Sequence, residues 1–180
     1  MADYRRAFLK GGTFFFTVVT YKRVQIFQYE ANITLLKQCF KATMRNYPFR
    51  IDAIVVLPDQ IHTIWTLPDE DADYSTRWRL IKKRFSLRYF PEKTRLVSES
   101  MLKKQERGIW QRRFWEHLIR DDEDFNRHCD YIHYNPVKHG LVQSPEFWKP
   151  SSYHDFVKKG YYSQGWGTTA TEQIRKLVYE

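Results

Sequence analysis

The chain is poor in cysteine, glycine and proline, and none of its hydrophobic runs is long. Its 180 residues include 2 Cys, 7 Gly and 7 Pro, which excludes a dense disulfide framework, a zinc cluster built from cysteines and a collagen-like chain. The longest apolar stretches, residues 14–19 and 53–57, are the size of strands and too short to cross a bilayer. The basic N-terminal residues lack the apolar core of a signal peptide. We therefore expect a cytoplasmic protein without membrane contact, in which Cys39 and Cys129 are buried, reduced thiols.

Positive charge and aromatic rings, by contrast, are abundant. The chain has 30 Lys and Arg against 21 Asp and Glu, a net charge of +9, together with 6 Trp, 12 Tyr and 13 Phe. Phosphates attract the cations and nucleobases stack on the rings, so this balance favours a nucleic-acid partner over an ordinary basic globular protein. The basic residues cluster in three segments with tryptophans among them, as in a nucleic-acid groove. Those that we expect to contact the nucleic acid are Arg5, Arg6, Lys10, Arg77, Lys82, Lys83, Arg112, Arg113 and Lys138.

The pattern of strands and helices predicts one α+β domain with an antiparallel sheet and helices packed on it. The predicted elements are a central strand over residues 14–21, an amphipathic helix over 31–46, a hairpin over 51–65, a basic helix over 75–90, a strand ending near 119 and a helix from 121 to about 135. The last helix starts with acidic residues, which its macrodipole favours. We expect it to stop before Pro136, because the residue preceding a proline disfavours the helical conformation.

This last helix carries a row of polar side chains on one face. Their spacing is i, i+4, i+7 and i+11, and the row consists of Asp124, His128, Tyr131 and Asn135. A tyrosine hydroxyl can act as a nucleophile, and an amide oxygen one turn later can contact a metal or a phosphate. The more common interpretation of a helical tyrosine is structural. The row alone therefore indicates a site only weakly.

The second strand of the predicted hairpin contributes another candidate group. Gln60, His62 and Ile64 point to one face of this strand, while the alternate residues point to the other. A lone histidine on a strand is more often a packed, hydrogen-bonded residue than a ligand. Histidine and amide groups on a rigid strand can nevertheless hold a divalent cation that polarises a phosphate.

Taken in order, these segments resemble the REP-associated tyrosine transposases, a bacterial branch of the single-tyrosine HUH transposases. The resemblance covers residues 4–162, which we interpret as a single domain, and leaves residues 163–180 as a variable tail. The segments that carry it are YRR at 4–6, KGGTFFFT at 10–17, VVLPDQIHTIWTLP at 55–68, STRWRLIKK at 75–83, RFWEH at 113–117 and DYIHYNPVKHG at 130–140.

The resemblance implies a ferredoxin-like sheet and action on single-stranded DNA next to short palindromic hairpins. It implies that Tyr131 is the catalytic nucleophile and that His62 and Asn135 hold a divalent cation, Mg²⁺ or Mn²⁺. The family motif has two histidines on this strand: His62 occupies the second position, and this chain has Gln60 at the first. A glutamine oxygen can also bind Mg²⁺ or Mn²⁺, but it is a weaker donor than imidazole for Mn²⁺.

The leading hypothesis is therefore a DNA-nicking and strand-transfer enzyme that works through a 5′-phosphotyrosine. The alternative is a hairpin-binding protein whose cleavage is weakened or lost, and Gln60 is its main support. A third class, an RNA-binding protein of similar topology, lacks the glycine-flanked aromatic signature expected of it. The resemblance favours a monomer and leaves a dimer open.

Tyr134 is the competing nucleophile on the same helix. We expect Tyr131 instead, because it has an amide at i+4 and occupies the matching motif position. We also expect its ring to lie outside the core and within about one side-chain length of His62. In this arrangement Phe125, Cys129 and Ile132 would anchor the helix on the sheet.

Overall fold

The computed structural model describes residues 7–90, 100, 103 and 107–168. Within them the order of elements is β1 Thr13–Val19, α1 Glu30–Met44, β2 Arg50–Val56, β3 Gln60–Thr66, α2 Tyr74–Arg88, β4 Trp115–Leu118, α3 Asp122–Lys138 and α4 Tyr153–Lys158. Short 3₁₀ turns occupy Tyr21–Arg23, Ile26–Gln28 and Pro145–Phe147. No helix of this described part is long and apolar enough to cross a membrane.

The four strands form one sheet in the order β2-β3-β1-β4, and every neighbouring pair is antiparallel. With α1 and α2 as the connections, this is the β-α-β-β-α-β arrangement of ferredoxin-like folds, so the predicted fold class is confirmed. The register places Thr17 of β1 opposite both His62 of β3 and Trp115 of β4. One row of side chains therefore runs across three strands.

Each face of the sheet has its own hydrophobic core, because side chains of a strand alternate between the faces. On one face Phe14 and Phe16 pack with residues of α1 and α2, among them Phe40 and Trp78. On the other face Phe15 packs with residues of α3 and α4. Both faces of β1 are thus covered, which explains its aromatic composition without polar alternation.

Helix α3 is longer than predicted, and it passes through Pro136 to Lys138. A proline inside a helix removes one amide donor, here the one that would reach the carbonyl of Ile132. The loss is tolerated because Pro136 lies in the last turn, where the N–H of His139 still bonds to the Asn135 carbonyl at 3.0 Å. Pro136 and Asn135 are also buried, so packing holds the helical conformation that the local preference opposes.

Arg77 is a second correction, because it lies in the interior and is 0% exposed. Its guanidinium donates to the carboxylate of Asp71 at 2.7 Å and to the carbonyl oxygens of Pro48 at 2.7 Å and Asp73 at 2.9 Å. The hydrogen bond from Arg77 is the main cause that lowers the pKa of Asp71. Arg77 therefore links the start of α2 to the preceding loop. Because its guanidinium is buried and bonded inside the protein, we no longer expect Arg77 to contact a phosphate.

The structure allows some of the remaining expectations to be checked, while others concern residues that it does not describe. Cys39 and Cys129 are free and buried, as predicted. Arg5, Arg6 and residues 169–180 lie outside the described residues. Of the segment that we interpreted as a tail, Trp166 stacks on Tyr162 with ring centroids 4.1 Å apart. At least this part of the segment packs on the domain.

We expect Arg77→Ala to lower the free energy of unfolding by about 3 kcal/mol, because it removes one member of a largely buried ion pair and leaves the partner carbonyls without a donor. Chemical denaturation measures the change. The matched control is Arg79→Ala, an exposed arginine on the same helix, for which we expect a change within about 0.5 kcal/mol.

The effect should also depend on pH. Because the folded-state pKa of Asp71 is lowered, the pair stabilises the protein fully above the ordinary carboxyl pKa of about 3.9 and less as the pH falls below it. The stability difference between wild type and Arg77→Ala should shrink in that acidic range. A difference that stays constant from neutral pH to about pH 3 would contradict this account of Arg77.

Candidate functional site

The site lies on the face of the sheet that α3 covers. His62 of β3 is 0% exposed, and its ring lies between two aromatic neighbours. The ring centroid of Phe15 is 5.9 Å away and nearly parallel, and that of Tyr131 is 5.2 Å away at an interplanar angle of 77°. The structure therefore brings Tyr131 and His62 into contact, at the separation expected from the sequence.

His62 is uncharged at neutral pH. Burial is the main cause that lowers its pKa to about 3, and the electrostatic interactions with His139, Lys138 and Arg23 act in the same direction. Its Nδ1 lies 2.9 Å from the hydroxyl oxygen of Thr17, the residue opposite it on β1. When Nδ1 carries the hydrogen and donates to Thr17, the lone pair on Nε2 is left to accept a proton or bind a metal.

Tyr131 is more buried than we expected. Its side chain is 2% exposed and belongs to the core on this face of the sheet. The ring packs against Phe15 at 5.9 Å, and the Nζ of Lys138 lies 4.9 Å from its centroid. The expectation that the ring lies outside the core was wrong, because the polar row of α3 faces the sheet. Tyr134 is also buried.

Two buried polar groups near this contact have no hydrogen-bond partner among the described residues. They are the Nε2 of His62 and both amide atoms of Asn135. Buried polar atoms without partners are rare and call for an explanation such as a ligand or an ion. One imidazole nitrogen and one amide oxygen are donors that a divalent cation accepts, so His62 and Asn135 fit the metal site that the family resemblance implies.

Gln60 fits that site less well. It is 1% exposed, and both ends of its amide are engaged. Its oxygen accepts from the guanidinium of Arg23 at 3.3 Å, and its nitrogen donates to Nε2 of His139 at 3.3 Å. A cation would have to displace a guanidinium to reach this oxygen.

A second group of possible metal ligands lies further toward the start of α3. Ligand atoms of His117, Asp124 and His128 lie within 4.8 Å of one another. The Asp124 carboxylate accepts from Nε2 of His117 at 2.8 Å and from the backbone N–H of Arg120 at 3.1 Å. Burial raises the pKa of Asp124, but these bonds and the charges of the two histidines outweigh it and hold the pKa at about 2. This group ties the first turn of α3 to β4.

The opposite flank of α3 is fixed by a buried network around His133. Its two ring nitrogens lie 3.0 Å from the Tyr162 hydroxyl and 2.8 Å from the Ser152 hydroxyl, and Tyr162 donates to Asp130 at 2.9 Å. Burial lowers the pKa of His133 to about 3. With β4 on one flank and this network on the other, α3 is anchored at both sides of Tyr131.

The predicted basic contacts lie at several places on the surface. Lys10 pairs with Glu70 at 2.9 Å. Lys82 donates to the carbonyl of Gln111 at 2.9 Å, which places it beside the segment that leads into β4. Lys83, Arg112 and Arg113 are exposed.

Sequence patterns alone missed three residues that touch this site. Thr17 contacts His62, and Arg23 and His139 contact Gln60. The alternation of β1 puts Thr17 on the same face as Phe15, so its face could have been found from the sequence. The contacts of Arg23 and His139 depend on chain segments that are far apart in sequence.

Comparisons with known proteins identify the family of the chain. No family model matches the chain. A Haemophilus influenzae protein assigned to the REP-associated tyrosine transposases is 45% identical over 175 residues, which is 97% of this chain and 98% of that protein. The REP-associated tyrosine transposase of Escherichia coli K12 is 42% identical over 175 residues, 96% of this chain and 94% of that protein.

A solved structure is also similar over almost the whole chain. It shows a REP-associated tyrosine transposase bound to a REP hairpin, with 39% sequence identity, a TM-score of 0.76 and coverage of 99% of both chains. The chain therefore belongs to the REP-associated tyrosine transposases, as the sequence resemblance predicted.

Proposed function

We propose that the protein binds REP-type DNA hairpins and cuts and rejoins the adjacent single strand with Tyr131 as the nucleophile. The observation that carries this proposal is the contact between the Tyr131 and His62 rings, 5.2 Å apart. The buried, unpartnered amide of Asn135 follows Tyr131 by one turn of the same helix. A hairpin-bound relative that is 39% identical supports the DNA partner. Tyr131 and His62 come from one chain and touch, which supports action as a monomer.

In the proposed reaction the phenol oxygen of Tyr131 attacks the phosphorus of the scissile phosphate. A bond from this oxygen to phosphorus forms as the bond to the 3′ oxygen breaks. The products are a 5′-phosphotyrosine and a free 3′-hydroxyl, which takes up the proton that the phenol loses. The phosphotyrosine conserves a phosphodiester, so the strand can be rejoined or passed to another end without an external energy source.

The charges around the site suit a phosphate. Arg23 and Lys138 both act on His62 electrostatically, and these two cations attract the phosphate and stabilise negative charge that develops on it. His62 and Asn135 would hold a divalent cation, Mg²⁺ or Mn²⁺. When bound, such an ion polarises the phosphate as a Lewis acid.

The proposal requires the Tyr131 hydroxyl to become exposed when DNA binds, since its side chain is 2% exposed. This burial also favours the second candidate function, a hairpin-binding protein that does not cleave. The hydrogen bonds of Gln60 to Arg23 and His139 also favour the binding function, because the amide of this expected metal ligand is already bonded to other side chains. The two functions differ only in the chemical step.

We expect the wild type to form a covalent adduct with a labelled oligonucleotide that carries a hairpin and a single-stranded flank, in the presence of Mn²⁺. Tyr131→Phe should abolish the adduct and leave hairpin binding unchanged, because only the nucleophilic oxygen is removed. Denaturing gel electrophoresis detects the adduct. Tyr134→Phe is the matched control and should still form it. An adduct that persists in Tyr131→Phe would refute the assignment of the nucleophile.

Gln60→His separates the two candidate functions, because it restores a second imidazole to the strand. Hairpin binding without an adduct in the wild type, together with an adduct in Gln60→His, would establish the binding function. An adduct in both proteins would establish cleavage. We also expect Gln60→His to bind Mn²⁺ more tightly than the wild type does, since imidazole is the better donor. Titration calorimetry without DNA measures this.

We further propose that Lys82, Lys83, Arg112 and Arg113 contact DNA phosphates. Replacing all four with alanine should weaken binding about equally for every DNA sequence and reduce the slope of log affinity against log salt by roughly 0.7 to 0.9 for each phosphate that is no longer neutralised. Fluorescence anisotropy over a range of salt concentrations gives the slope. Lys37→Ala, an exposed lysine on α1, is the control. A slope unchanged in the fourfold variant would place the DNA elsewhere.

A further inference from the structure

A cavity of ≈ 340 Å³ opens beside β1 and β4, on the same face of the sheet as the candidate site. Its lining includes Thr17, Arg23, Arg113, Phe114 and Trp115. This volume is at the lower end of the range for small-molecule pockets. Neither Phe114 nor Trp115 belongs to the group around Tyr131 and His62 that would carry out the cleavage.

The cavity is connected to the candidate nucleophile, Tyr131, through Thr17 and His62. Thr17 forms part of its lining, and the Thr17 hydroxyl lies 2.9 Å from Nδ1 of His62. The ring of His62 in turn contacts that of Tyr131, with centroids 5.2 Å apart. A DNA strand with its reacting phosphate at Tyr131 would therefore have the neighbouring nucleotide within reach of the cavity.

The charges of the cavity complement a nucleic-acid backbone. Arg23 and Arg113 contribute two guanidinium groups to the lining. The guanidinium of Arg23 also pairs with the carboxylate of Asp59 at 3.4 Å, whereas Arg113 is exposed. Arg23 has a positive φ of 51°, as does the preceding Lys22 at 54°. Two successive residues other than glycine in this region are strained, and such strain is found where the surrounding structure fixes a side chain for function. The turn aims Arg23 at Gln60 and at the cavity.

The cavity also offers an aromatic surface. Trp115 is 38% exposed, although it is a large hydrophobic residue. Its ring lies parallel to that of His117, with centroids 5.9 Å apart and an interplanar angle of 5°, and Phe15 contacts it at 5.6 Å. Two neighbours thus hold the indole in place while part of it remains open to solvent. A fixed, partly exposed indole is a stacking platform for a nucleobase.

We propose that this cavity binds the base of one unpaired nucleotide next to the scissile phosphate. The base stacks on Trp115, and Arg23 and Arg113 pair with the phosphates on either side of it. This inference rests on the proposed function, since it names a subsite for the single strand that the function requires. The inference goes beyond that function because it assigns the binding of one unpaired base to the ring of Trp115.

The test uses DNA hairpins with a single-stranded extension in which one nucleotide at a time is abasic. Binding is measured by fluorescence anisotropy for the wild type, Trp115→Ala and Trp115→Phe. For the wild type we expect one abasic position to weaken binding by about 5- to 150-fold, the usual contribution of a stacked base. In Trp115→Ala the same abasic position should have no further effect, whereas Trp115→Phe should keep part of it.

Two controls separate this effect from damage to the protein. Trp115→Ala should bind a hairpin without an extension as well as the wild type does, which shows that the fold and the hairpin site are intact. Phe147→Ala removes another exposed aromatic ring, 63% exposed and outside the cavity. It should retain the wild-type response to every abasic position.

Equal abasic penalties in the wild type and Trp115→Ala would overturn the subsite, as would the absence of any penalty in the wild type. In both cases hairpin binding persists and the proposed function stands. A wild type that binds no hairpin would overturn the proposed function and the subsite together.

Discussion

The geometry of the site depends on the packing of Phe15 in the middle of β1. Its ring contacts His62 and Tyr131 at 5.9 Å each, His128 at 4.8 Å and Trp115 at 5.6 Å. Because β1 is hydrogen-bonded to a strand on each side, its backbone cannot shift without disrupting the sheet. The ring therefore fixes how closely α3 approaches β3, and with it the distance from the candidate nucleophile to the histidine.

The electrostatic environment of this site is more suited to an anion than to a free cation. His62 is neutral, and the charged groups that act on it are positive. A phosphate that supplies negative charge would therefore strengthen the binding of a metal ion here. Gln60 has a physical role in this environment. Its oxygen accepts from the guanidinium of Arg23, so a positive charge lies where the family motif would place another metal ligand.

The sequence predicted the fold well because hydrophobic periodicity determines which face of each element is buried. The aromatic run of β1, predicted as a central strand, is buried. Arg77 was misjudged because its acceptors include the carbonyl of Pro48, 29 residues away, and no local pattern reveals such a partner. Pro136 was misjudged because tertiary packing outweighed a local conformational preference.

The sequence indicated the members of the candidate site but not their environment. The motif positions indicated Tyr131, His62 and Asn135, and the packing of α3 on the sheet brings Tyr131 and His62 together. The burial of Tyr131 was not predictable from spacing, since the row of polar residues on α3 suggested an open face. The contacts of Gln60 with Arg23 and His139 join residues 37 and 79 positions apart, which no sequence window spans.

The proline within α3 has a mechanical consequence. Because Pro136 has no N–H, the Ile132 carbonyl, directly after Tyr131, lacks the i+4 donor that an uninterrupted helix would supply. The last turn, which carries Asn135 and Lys138, is therefore joined to the Tyr131 turn by one bond fewer, and bending at this joint costs less than in an uninterrupted helix. Asn135 and Lys138 lie beyond this weaker joint, while the first turn of α3 is fixed to β4 by the hydrogen bond between Asp124 and His117.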